Sequence, residues 1–261
     1  MELTLVFGMI VGLSLGLTGG GGSIFAVPLL VFGLGLEFRR AVTLSLAVVG
    51  ITALYGAILQ ARRGHVLWGA GAVLGAGGVV AAPIGAWLGT KLPDHLSLLL
   101  FAVLMIFIGV RMLGKKPAVG DVPLTWISCE RHSDGKPKFT SRCAAKLLGA
   151  GAITGILSGI FGVGGGFLVV PALLVVTCVS IERALATSLV GIFLISVSGF
   201  TANVGNLTSA DGSIGLVFLA GSAVGMTGGT WLKQFIPARG LQMIFGVSVI
   251  ATAIFVLVQS L

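Results

Sequence analysis

The sequence predicts an all-α, polytopic integral membrane protein built as two inverted repeats of four hydrophobic segments. The first segment of each repeat is expected to be a glycine-broken, re-entrant-like helix pair. Three observations carry this expectation. Of the 261 residues, 56% are hydrophobic and only 9% charged, too few polar groups to clothe a soluble domain of this size. The apolar residues gather in stretches that approach the roughly 20 needed to span a bilayer as a helix, rather than the alternating segments of about 10 that mark a β-barrel. And the chain matches itself when slid by 143 residues, the mark of an internal duplication.

Taken in order, the first stretch covers 3–36 and is interrupted by "TGGGGS". Met1-Glu2-Leu3 lacks the basic start of a cleavable signal, so this stretch is expected to be retained. Stretches 41–59, 66–89 and 96–113 follow and complete a first transmembrane repeat over 1–113. Residues 114–144 form a basic connector, polar and turn-rich ("GKKPAVGDVPLTWISCERHSDGKPKFTS"), whose composition argues for a loop. The second repeat, 145–261, opens with 147–179, interrupted by "FGVGGG", and continues through 184–204, 214–232 and 241–261.

The duplication is specific. At the 143-residue shift Gly12, Gly16, Gly19, Gly21 and Gly22 fall on Gly155, Gly159, Gly162, Gly164 and Gly165, Pro28 falls on Pro171, and Arg40-Ala41 falls on Arg183-Ala184. One residue further, Trp87 and Pro93 fall on Trp231 and Pro237. The opening stretches of 34 and 33 residues are too long for one upright span and too short for two, which leaves a kinked span or a hairpin of two short helices. Charge separates these. A hairpin inverts the second repeat and, with the connector in the cytoplasm, leaves only Arg39, Arg40 and Lys91 outside among the 16 Lys and Arg. That is the stronger inside bias.

Broken helices at matching places in inverted repeats point to a transporter's binding site, because their free backbone ends can hold a ligand away from lipid. The second half-helices should start near Ser23 and Gly166, presenting N–H groups and a positive dipole end suited to an anion. The candidate substrate-binding residues are Thr18, Gly20, Gly21, Gly22 and Ser23 in the first break and Gly164, Gly165 and Gly166 in the second. Arg40 and Arg183, with Ser45 and Ser188 in the turns that follow, complete the set; Ser158 is a further hydroxyl near the second break. Glycines spaced by four, as in Gly8-Gly12-Gly16, Gly155-Gly159 and Gly221-Gly225-Gly229, read as helix-packing surfaces instead. A membrane-edge Arg also snorkels into headgroups, and Pro28 and Pro171 suit the first turns of their half-helices.

The residues exclude several classes. The net charge of +8 sits in connections rather than on a nucleic-acid face, so no nucleic-acid partner is expected. No Asp or Glu lies deep in an apolar stretch to relay protons. No nucleotide-binding, metallohydrolase or serine-hydrolase motif is present, and neither enzymatic activity nor a cofactor or metal is expected. Cys129, Cys143 and Cys178 show no CxxC spacing, so free thiols are expected.

The paired segments "GLTGGGGSIFAVPLL" and "GIFGVGGGFLVVPALL", each followed by an Arg-Ala step ("RRAVTLSLAVV", "ERALATSLVGI"), resemble the sulfite exporter TauE/SafE family, also described as toluene sulfonate uptake permeases. The likeness covers the whole chain. It implies a multi-pass inner-membrane permease for a small sulfur-containing anion such as sulfite or an organosulfonate, in export or uptake. Ser23 stands where the second half has Gly166, and the longer basic connector departs from a minimal member. A passive anion channel and a non-transporting structural subunit remain the alternatives.

Overall fold

The computed structural model describes residues 1–113, 141–163, 165–177, 179–208, 211–232, 235 and 238–260. The described residues form helices and no strands. In order these are α1 (Glu2–Thr18), α2 (Ser23–Pro28), α3 (Phe38–Ala61), α4 (Trp68–Lys91), α5 (Asp94–Leu113), α6 (Ser141–Phe161), α7 (Gly166–Thr177), α8 (Ile181–Asn203), α9 (Asp211–Leu232) and α10 (Ala238–Ser260). Five of the helices, α3, α4, α6, α8 and α9, are long and apolar enough to cross a membrane. The chain is a polytopic, all-helical membrane protein. The connector lies almost wholly outside the described residues; only its end falls in the first turn of α6.

Packing follows the small residues. Without water to drive apolar faces together, helices in lipid associate by close backbone contact. Gly8, Gly12 and Gly16 of α1 lie against the backbone of α9 at Phe218, Ser222 and Met226, so closely that a Cβ on any of them would overlap a carbonyl. Gly221, Gly225 and Gly229 meet α1 in the same way at Leu5, Met9 and Leu13. The parallel case in the other half is α6 on α4, where Gly151, Gly155 and Gly159 face Leu74, Gly78 and Ala82. The four-spaced glycines therefore serve packing, as their spacing indicates. The rising numbers on both partners show that α1 runs parallel to α9, and α6 to α4. The opening helix of each half thus packs on the third hydrophobic segment of the other.

Between these pairs α3 and α8 cross antiparallel at the centre. Thr43 donates to the Asn203 carbonyl at 3.3 Å at one end, and Gly50 faces Ser196 near the middle. Both helices are largely buried, with Leu46, Val49, Leu189 and Ile192 fully enclosed. α5 packs on α10 and exposes Leu100, Val103 and Phe107, with Ile254, Phe255 and Val258 from α10, an apolar surface fitted to lipid. Trp87 and Trp231 are exposed by 60% and 61%, consistent with anchoring at a membrane interface.

Two expectations are corrected here. Pro28 is the last residue of α2, beyond its first turn, and the chain continues as a π-helical turn over Leu29–Gly33. Proline has no N–H to give the carbonyl one turn back and its ring crowds that carbonyl, so the bonding ladder widens after it. Cys143 is disulfide-bonded rather than free, with its partner outside the described residues. An odd count of cysteines excludes complete pairing, not a single bond.

Candidate functional site

The first break is built by Gly19, whose left-handed backbone (φ 69°) caps α1 while its N–H bonds the Leu15 carbonyl at 2.8 Å. A Cβ there would meet Leu185 of α8. The turn then winds tightly into α2: Ser23, Ile24 and Phe25 N–H donate to the carbonyls of Gly20, Gly21 and Gly22 at 3.4, 3.2 and 3.2 Å. The Ser23 hydroxyl also donates to Gly20, at 2.8 Å. The first donors of α2 are therefore spent within the turn. The buried N–H groups of Gly20, Gly21 and Gly22 in turn meet no backbone acceptor among the described residues. α2 folds back along α1, with Gly22 against Ser14 and Leu15 and Gly33 against Phe7.

The second break repeats this construction. Gly162 (φ 70°) ends α6, its N–H bonding the Ser158 carbonyl at 2.8 Å, and Gly165 (φ 68°) accepts from Leu168 and Val169 of α7 at 3.0 and 3.2 Å. α2 starts at Ser23 and α7 at Gly166. Gly164 lies outside the described residues.

The two breaks touch. A Cβ on Gly20 would lie 2.7 Å from the Gly166 carbonyl oxygen, and the Ile192 side chain closes over both glycines. Each break is also braced by the other half's central helix. Ser188 of α8 donates to the Gly19 carbonyl at 2.6 Å, and Ser45 of α3 donates to the Gly162 carbonyl. These two serines hold the site together through protons already committed to backbone. Thr18 is committed as well, back-bonding to the Ser14 carbonyl at 2.7 Å.

The arginines lie apart from the breaks. Arg40 makes a two-pronged ion pair with Asp211, which is 1% exposed at the start of α9, and adds Thr208 at 3.0 Å. Thr208 closes the cluster through its own N–H and hydroxyl to the same carboxylate, at 2.8 and 2.9 Å. Arg183, part-exposed in the first turn of α8, makes no ion pair among the described residues.

Beside Arg40, the sequence reading passed over Arg39. It pairs with Asp94 at 3.3 Å and donates to the Thr90 carbonyl at 3.1 Å. It also lines a small open crevice with Thr90, Asn203 and Asn206. Val42, on the same crevice wall, is the residue whose backbone meets Gly162, so this crevice ends against the second break. Adjacent arginines at a helix start were the available signal; only the fold separates their partners.

With that geometry in place, comparison with known proteins gives a consistent answer. The family described as Sulfite exporter TauE/SafE matches residues 4–256. A "Probable membrane transporter protein" of Xylella fastidiosa (strain Temecula1) is 33% identical over 265 residues, covering 99% of this chain and 95% of its own. "Probable membrane transporter protein YdhB" of Bacillus subtilis (strain 168) is 26% identical, with 85% and 84% covered. A "Probable membrane transporter protein" of Haemophilus influenzae is 27% identical, with 83% and 80% covered. No solved structure matches the chain.

Proposed function

Because this membrane transporter belongs to the sulfite exporter TauE/SafE family, we propose that it is a secondary permease carrying a small sulfur-containing anion, such as sulfite or an organosulfonate, across the inner membrane. The anion is held near the middle of the bundle, where the two glycine-broken helix pairs of an inverted repeat meet. The observation that carries this reading is the row of three buried glycines, Gly20 to Gly22, whose N–H groups meet no backbone acceptor among the described residues and lie beside the second break. Successive backbone donors in a turn make a concave anion cradle, and buried donors left unpaired call for a partner absent from the fold itself.

The repeat reading is supported by the exchanged packing of α1 on α9 and α6 on α4, each pair parallel, about the antiparallel α3–α8 pair. In this arrangement residues 1–113 and 145–261 are the two repeats. The basic connector 114–144 lies in the cytoplasm, on the evidence of the Lys and Arg bias. Ser45 and Ser188 act by positioning the breaks, as does Ser23 through its bonds to Gly20, and Gly164, Gly165 and Gly166 complete the cradle. Arg40 and Arg183 act at the rims of the pathway. An anion leaving a negative-inside cell gains about 2.3 kcal/mol per charge per 100 mV, so export requires no coupling ion.

Radiolabelled sulfite flux into proteoliposomes tests this. A carrier gives saturable flux accelerated by sulfite or sulfonate on the opposite side. Flux that rises linearly without exchange identifies a channel, and no flux with either anion class overturns the substrate assignment.

A further inference from the structure

Among the described residues, two fully buried serine hydroxyls in the helices stand out. The common fate of such a group in an apolar helix is to donate to its own backbone one turn back. Thr18, Thr154 and Thr177 do so, at 2.6 to 2.7 Å. Ser158 and Ser196 are 0% exposed, yet neither hydroxyl has a hydrogen-bond partner among the described residues. An unpartnered buried hydroxyl is costly, and its persistence calls for a ligand or water that completes it.

Their places in the fold are not arbitrary. Residues four apart share a helix face. On α6, Ser158 follows Thr154, whose methyl occupies the space a Cβ on Gly165 would need. It precedes Gly162 by one turn and accepts that glycine's N–H on its own carbonyl. On α8, Ser196 follows Ser188, which holds Gly19, and Ile192, which covers Gly20 and Gly166. Both serines therefore lie on faces that meet the breaks, one turn beyond groups already in contact with them.

The internal duplication supplies a control. At the 143-residue shift Ser188 matches Ser45, but Ser158 matches Leu15 and Ser196 matches Ala53. Leu15 and Ala53 are equally buried. The first half fills these positions with hydrocarbon, so the fold itself does not require hydroxyls there.

Resting on the carrier reading above, we propose that Ser158 and Ser196 are substrate-binding residues of the second half-site. Each hydroxyl donates to an oxygen of the bound sulfur oxyanion, adding side-chain donors from the second half to the backbone donors of the first break.

The test is S158A, S196A and the double variant in proteoliposomes, read as KM and maximal rate for sulfite, with melting temperature in detergent with and without sulfite. Each single variant is expected to raise KM about tenfold or more, the loss of a hydrogen bond to a charged group. The ligand-free melting temperature should hold or rise, since a buried unpaired hydroxyl is removed, while the shift induced by sulfite shrinks. Unchanged KM in all three variants, or a fall in ligand-free stability with KM intact, overturns the proposal and assigns the serines to packing or a structural water. Wild-type protein that neither transports nor is stabilised by sulfite or a sulfonate overturns the carrier reading instead.

Discussion

Serine serves two opposite purposes in this bundle, and the difference is measurable. Ser45 and Ser188 spend their protons on the carbonyls of Gly162 and Gly19. Replacing either with Ala leaves a buried carbonyl unpaired beside a left-handed glycine. A loss of about 1–3 kcal/mol is expected, read as a lower melting temperature in detergent, whereas S158A and S196A should show no such loss. The sequence placed Ser45 and Ser188 at matching positions and assigned them to substrate. What it could not supply was the acceptors, which lie 117 and 169 residues away and on the opposite half. Arg40 was hidden for the same reason: Asp211 is 171 residues distant. Composition marks a residue as polar, but only the assembled helices decide what satisfies it.

At the scale of helices, far more was legible. Consecutive glycines weaken a helix, and α2 begins at Ser23 and α7 at Gly166, each just after a glycine run. Spacing by four identified the packing stripes because a helix returns to the same face at that interval. The π-helical turn after Pro28 was not legible, since a proline late in a short helix permits a kink, an end or a widened ladder equally well. Packing predicts a sharp contrast between two glycines. On α1, Gly12→Leu would drive a side chain into the Ser222 backbone and should part α1 from α9, with a melting temperature lowered well beyond that of any exposed substitution. Gly228→Ala on α9 meets nothing and should leave stability and transport unchanged. Equal losses in both variants would contradict the helix pairing.

For the molecule as a whole, the ends of the helices set two expectations. The Arg40–Asp211 pair ties α3 to α9 across the two halves, with Asp211 almost fully enclosed. Asp211→Ala should cost about 1–3 kcal/mol, since the charged hydrogen bonds to Arg40 are lost, measured by thermal unfolding. Sidedness provides the second. Because α2 folds back along α1, cysteines placed at Met1 and Glu37 should react with an impermeant reagent from one face, and a cysteine at Arg63 from the other. Labelling of Met1 and Glu37 from opposite faces would exclude the hairpin.

The partner exchange between α1 and α9 also reaches back into biosynthesis. At about 5–20 residues per second, roughly ten to forty seconds separate the emergence of α1 from that of α9. During this interval the newborn amino-terminal rod exposes a groove of bare peptide with no mate to seal it. Fragments 1–113 and 145–261, each made alone, should consequently be cleared by proteolysis, whereas the same two pieces produced together should survive by completing one another.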